Sequence, residues 1–173
     1  LSAPAILDAA PPIPHVERLL LLAPLVQRWK DFLPDAVRTM FSEDVEVPVS
    51  TADAVWLARD LASLMDEIES EETSWAKLAD LVSDDLGGWW KVTLDFLRIV
   101  SESWPEILHE RGQENPARHR NRLIRLEALR LANGGAKGPV IAAGSTGSNP
   151  AAAALLATVA RLPLGAVVLP GLD

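Results

Sequence analysis

Over the first 137 positions apolar residues recur mainly at three- and four-residue steps, the spacing of one face of a helix; after that they gather into short continuous runs. The clearest helical stretch is 51–69. Ser50 with Asp53 three residues on is a capping-box pattern, and Leu57, Leu61, Leu64, Met65 and Ile68 fall on one stripe. Arg59, Asp60, Ser63, Asp66 and Glu67 are expected to face away from it, and Trp56 lands on that polar side. Before it, 15–32 reads as a helix that Pro24 divides or kinks. Residues 34–49 form a connection of weak pattern. After it, Ser74 caps a short helix to 82 carrying Trp75, and Ser83-Asp84-Asp85 opens a longer one. That helix bears Trp89, Trp90, Leu94, Leu97, Val100 and Trp104 at helical steps, with a kink expected near Ser103 because Pro105 follows. Residues 112–115 break the pattern, and Pro116 restarts a helix that ends near Asn133-Gly134-Gly135.

The change of period comes at Val140. Val140-Ile141-Ala142-Ala143 is an apolar run of the kind that makes a strand buried on both faces, and Gly144-Ser145-Thr146-Gly147-Ser148 is a turn signal. Ser148 or Asn149 can cap the alanine-rich helix that Pro150 opens and that runs to Arg161. Pro163 and Gly165 stop it, and Ala166-Val167-Val168-Leu169 supplies a second strand. Strand, crossover helix and strand make a parallel βαβ unit. The expected fold class is therefore mainly α with a C-terminal βαβ unit: an extended arm at 1–13, a helical subdomain at 14–137, and a partial α/β subdomain at 138–173. Two parallel strands do not make a stable sheet alone. With ends at Leu1 and at Asp173 directly after a strand, the chain reads as a piece of a longer polypeptide.

Charge sharpens this division. Residues 1–110 hold 8 Lys/Arg against 21 Asp/Glu, whereas 111–137 hold 7 against 2, within a net charge of −8. An acidic body repels phosphate backbones, so any nucleic-acid contact falls to the basic segment. There Arg118, Arg122 and Arg125 lie within about 60° of one another on the helix surface. Two readings are open: a face that contacts DNA phosphates, since guanidinium forks suit phosphate oxygens, or a set of partners for the carboxylates of the acidic body. A mean hydropathy of +0.13 is high for a soluble chain of this length and implies apolar surface made for packing. The absence of cysteine excludes disulfides, thiol nucleophiles and thiolate metal sites and is compatible with a cytoplasmic setting. No apolar run approaches membrane-spanning length.

The 144–148 loop leads from a strand into a helix and can present N–H groups to an anion, so Gly144, Ser145, Thr146, Gly147 and Ser148 are a candidate anion-binding loop. It is neither a P-loop nor a dinucleotide fingerprint. Residues 140–172 contain no Asp or Glu to hold Mg²⁺. Catalytic and metal-binding residues are not expected. The acidic cluster Glu43, Asp44, Glu46 lacks the spacing of a metal loop, and His109 and His119 lack helically spaced ligand partners.

The run VIAAGSTGSNPAAAALLATVARLPLGAVVLPGLD resembles the corresponding run of AddB-type subunits of bacterial AddAB helicase–nuclease complexes, which process DNA double-strand breaks for recombinational repair. Upstream, ERLLLLAPLVQRW, LMDEIE and FLRIVSESWPEIL are similar in kind and order. The resemblance implies part of an N-terminal half shaped like a superfamily I helicase, with a P-loop-type fold lacking its motifs. It implies a non-catalytic scaffold and DNA-channel region, an AddA-type subunit and DNA as partners, and a bacterial cytoplasmic location. The family's iron–sulfur cluster and Mg²⁺-dependent nuclease belong to its C-terminal part, and ATP to the partner subunit, so no cofactor is expected on these residues. Ala143 and Gly144 stand where an active helicase carries acidic residues. Two alternatives of other classes are a phosphate-ligand enzyme domain built on the 144–148 loop and a helical protein-interaction module.

Overall fold

The computed structural model describes residues 10–32, 50–75 and 96–171. Five helices and two strands lie in these segments: α1 (His15–Phe32), α2 (Thr51–Ser70), α3 (Trp104–Arg111), α4 (Pro116–Arg130), β1 (Val140–Ala143), α5 (Pro150–Arg161) and β2 (Gly165–Val168). The architecture is mainly helical with a small parallel βαβ unit at its C-terminal end. The weak connection with its acidic cluster, most of the short helix after Ser74, and the stretch bearing Trp89, Trp90 and Leu94 lie outside the described residues.

α2 begins as its sequence requires. Ser50 Oγ accepts from the Asp53 N–H at 3.2 Å, and Asp53 Oδ2 accepts from the Ser50 N–H at 2.8 Å, which closes the capping box. Its buried face is rotated from the one the large apolar residues indicate. Ala54, Ala58, Leu61, Ala62, Met65 and Ile68 are buried, whereas Leu64 is 37 % exposed and Leu57 only half-buried. The alanines explain the rotation, because their small side chains let α1 approach the helix axis where leucines would hold it off. α1 contributes Leu22 and Val26, and Ile13, Ile99, Trp104 and Leu108 complete the core.

Pro24 neither divides nor ends α1. It is exposed, as is Leu20 one turn earlier, so the proline sits on the solvent side of the helix. Asp66 does not face away either. It receives Arg18 NH1 at 2.8 Å from α1, and the guanidinium, buried with its side chain, also donates to the Ala62 carbonyl at 3.2 Å. The kink expected near Ser103 is a π-helical turn over Ile99–Ser103 that runs into α3, with Pro105 in the first turn of that helix where no N–H is needed.

The described part of the arm lies along the 112–115 turn. The Ile13 N–H donates to the Glu114 carbonyl at 2.9 Å and the Glu114 N–H to the Pro11 carbonyl at 3.0 Å. Ile13 is thereby fixed in the core.

α4 packs against α2 on one side and α5 on the other, so it joins the helical body to the βαβ unit. β1 and β2 pair in parallel with Val140 opposite Gly165 and Ala143 opposite Val168. Burial alternates along both strands, and Ile141 and Val168 are 68 % and 55 % exposed, so these strands are not buried on both faces. The reason is that, among the described residues, α5 lies against the sheet while no second layer stands opposite. Gly165 is obligatory at the start of β2, because a Cβ there would lie 1.9 Å from the Val159 carbonyl oxygen of α5.

Candidate functional site

Arg118, Arg122 and Arg125 come to one face of α4, as helical spacing requires, and the structure gives each a carboxylate. Arg118 NH2 lies 3.5 Å from Glu69 Oε1, Arg122 NH2 2.6 Å from Glu114 Oε1, and Arg125 Nε donates to Glu72 Oε1 at 2.7 Å while its NH2 meets Oε2. Arg120 donates to Ser70 Oγ at 2.7 Å, and Arg130 forks onto Glu127 and caps the Gly135 carbonyl. A groove of about 430 Å³ runs between this face and the C-terminal end of α2, with Thr73, Leu126 and Leu129 on its walls.

The electrostatics follow from these contacts. The hydrogen bond from Arg125 holds the Glu72 carboxyl below the ordinary carboxylate value and raises the guanidinium in return. Glu127 is held low by Arg130 in the same way. Glu69 goes the other way: burial raises it, against the hydrogen bond from Asn115 and the charges of Arg118 and Arg18. Arg118 is the most exposed of the three and its contact the longest, so most of its five N–H donors remain open to another acceptor.

Asn115 and Asn121, which sequence reasoning did not single out, join Trp104 and His119 in holding this face in place. Trp104 Nε1 donates to Asn115 Oδ1 at 2.8 Å, Asn115 Nδ2 donates to Glu69 Oε1 at 2.9 Å, and Asn121 Nδ2 donates to the Glu69 carbonyl at 2.8 Å. His119 Nδ1 and Arg122 NH2 both meet Glu114 Oε1 at 2.6 Å and also reach the Ala10 carbonyl, so two side chains of the basic helix share one carboxylate and one carbonyl of the arm. The one available signal is Asn115 before Pro116, a helix-start pattern. Its side chain caps nothing in α4 and turns instead into the core.

The 144–148 loop is shaped by two left-handed glycines, Gly144 at φ +76° and Gly147 at φ +65°. Gly147 lies so close over α5 that a Cβ would meet Leu156 Cδ1 at 3.0 Å and Ala153 Cα at 3.3 Å. The start of α5 is already occupied by its own chain. Pro150 has no N–H, Asn149 Oδ1 takes the Ala152 N–H at 2.8 Å, and the Asn149 carbonyl takes the Ala153 N–H at 2.9 Å. That leaves Ala151 among the first-turn donors, on a fully buried residue. The strand end is likewise committed, the Gly144 N–H donating to the Val168 carbonyl at 2.9 Å. Ser145, Thr146 and Ser148 are exposed around this turn.

Among the described residues no group of three or more His, Asp or Glu side chains is placed to hold a metal ion, and no helix is long and apolar enough to cross a membrane. No family model, curated protein or solved structure matches the chain.

Proposed function

We propose that this chain is a non-catalytic scaffold and DNA-channel region of an AddB-type subunit, working in the bacterial cytoplasm with an AddA-type helicase–nuclease partner on DNA double-strand ends. The observation that carries the reading is the strand end of the βαβ unit. β1 ends at Ala143 with Gly144 next in the chain, and residues 140–172 offer no carboxylate for Mg²⁺. With the first turn of α5 capped by Asn149, the small parallel βαβ unit supports a reading as a helicase-like α/β part without the groups that would fire a nucleotide. The sequence resemblance supports the family in this reading, and the Arg118, Arg122 and Arg125 face is its candidate place for phosphates. In this reading ATP is spent by the partner subunit, and the iron–sulfur cluster and Mg²⁺ of the family lie elsewhere in the parent protein.

The test is salt-dependent single-strand binding by the assembled complex, wild type against the Arg118→Ala/Arg122→Ala/Arg125→Ala variant. Each phosphate that the variant no longer neutralises lowers the slope of log K on log salt by about 0.7, so removing three such arginines reduces it by roughly 2. An unchanged slope returns all three arginines to structural pairing.

A further inference from the structure

The arm meets the side chains of the basic helix at Ala10. Its carbonyl accepts from Arg122 NH2 at 3.2 Å and lies 3.1 Å from His119 Nδ1, and both nitrogens also meet Glu114 Oε1 at 2.6 Å. Nδ1 faces two acceptors, so it is the ring nitrogen that carries the hydrogen. Further along, the arm is anchored by other means. The Ile13 N–H donates to the Glu114 carbonyl at 2.9 Å, the Glu114 N–H donates to the Pro11 carbonyl at 3.0 Å, and the Ile13 side chain is buried in the core. The contact at Ala10 is thus separable from the anchor at Ile13.

Arg122 is the donor for which the arm and an incoming phosphate compete. A guanidinium grips a phosphate most firmly with two parallel N–H groups on one edge. Arg122 Nε is buried, so a two-pronged grip from solvent falls to NH1 and NH2. NH2 has two hydrogens, and Glu114 and Ala10 take both. A phosphate oxygen arriving there displaces one of the two acceptors. The bond to Glu114 is charged and 2.6 Å long, whereas the bond to Ala10 is to a neutral carbonyl at 3.2 Å, so Ala10 is the acceptor that yields. Arg118 and Arg125 pair with Glu69 and Glu72 rather than with the arm, which confines the competition to Arg122.

We infer, on the reading of α4 as a phosphate-contacting face, that the arm is an autoinhibitory strap on that face, docked through Ala10 and released when single-stranded DNA takes Arg122. A strand bound at Arg122 loosens the arm ahead of Pro11, and the docked arm weakens strand binding by the same factor, because coupling between two binding events is reciprocal. One neutral hydrogen bond sets that factor at about two- to tenfold. His119 offers the Ala10 carbonyl a second donor, shared with Glu114, so the strap closes again when the strand leaves.

The test is an NMR titration of the full chain with single-stranded oligothymidylate at low salt, read at the Ala10 carbonyl carbon, the Glu114 amide and the arginine side-chain nitrogens. The Arg118 and Arg125 signals are expected to shift on binding, and the Ala10 carbonyl to move toward its position in free Arg122→Ala. The Glu114 amide, which donates to the next carbonyl along the arm, is expected to exchange about two- to tenfold faster. In Arg122→Ala the oligonucleotide should leave Ala10 and Glu114 unchanged. If the α4 arginines shift while the Ala10 carbonyl stays in place or the Glu114 amide exchanges more slowly, the strap is overturned and the phosphate face stands. The same movement of Ala10 in Arg122→Ala also overturns it, since Arg122 would not be the contested donor. An oligonucleotide that shifts none of the three arginines overturns both readings. The wild-type titration separates these cases even where Arg122→Ala does not fold.

Discussion

Trp29 and Trp104 pose the same substitution in opposite hydrogen-bonding circumstances. Trp104 is 1 % exposed, and its Nε1 donates to Asn115 Oδ1 inside the core at 2.8 Å. Replacing it by phenylalanine leaves that oxygen buried and unpaired, at about 1–3 kcal/mol, and adds the loss of part of the ring's packing, about 1 kcal/mol more. Trp29 sits edge-on to Phe96, with ring centroids 4.8 Å apart, and its Nε1 is buried with no partner. Trp29→Phe loses a similar amount of packing but removes an unsatisfied donor, which offsets about 1–3 kcal/mol. Trp104→Phe is therefore expected to cost about 2–4 kcal/mol, Trp29→Phe close to nothing, and the difference to be at least about 2 kcal/mol. Urea unfolding followed by far-ultraviolet circular dichroism reads this without relying on the tryptophans as reporters, and equal denaturant slopes would show that the unfolded reference is shared. Two variants within about 0.5 kcal/mol of each other would refute the reasoning, because ring size alone would then govern both sites.

Two further outcomes follow from the same contacts. Glu72 holds a left-handed φ of +50° where α2 ends, with the Thr73 N–H reaching the Ile68 carbonyl at 3.1 Å, a position that favours glycine. Glu72→Gly is expected to be more stable than Glu72→Ala by about 1 kcal/mol in thermal melts, since both lose Arg125 and only alanine keeps the strain; equal melting would contradict this. Asp66→Ala strands the buried Arg18 guanidinium on one carbonyl at 3.2 Å and should cost about 2–4 kcal/mol, less than a fully buried pair because Asp66 is partly exposed. The double change Arg18→Met/Asp66→Leu should recover most of that loss, and a double variant no better than Asp66→Ala would mean that the guanidinium's packing was what mattered.

Local signals are legible in the sequence and pair partners are not. The Ser50 and Asp53 box, the switch of period at Val140, the proline opening α5 and the glycine after it each act over a few residues, and each appears where those residues demand. The stripe on α2 misleads because Leu57 and Leu64 weigh more by hydrophobicity than Ala54, Ala58 and Ala62. What decides the face is how closely α1 can approach, a property of the pair of helices. Arg18 and Asp66 are 48 positions apart, and nothing along the chain announces that one will neutralise the other. Asn115 and Asn121 look like surface residues of a polar helix, yet they are buried because Glu69 and its carbonyl offer them bonds.

The two readings of the α4 arginines are not exclusive once donors are counted. A guanidinium has five N–H groups, and the carboxylate contact of Arg118 engages NH2 alone at a distance of 3.5 Å. Glu69, Glu72 and Glu114 thus fix where three cations stand while leaving part of each fork for an incoming anion. They also lower the positive potential that would draw one in, and a phosphate arriving at Arg125 has to displace or share with Glu72. A face built this way would bind phosphate more weakly than three free arginines but would hold them in fixed positions, so less side-chain freedom would be given up on binding. If α4 lines a DNA channel, that balance suits a strand that must keep moving: contacts of fixed geometry, each with a resident carboxylate ready to take the guanidinium back.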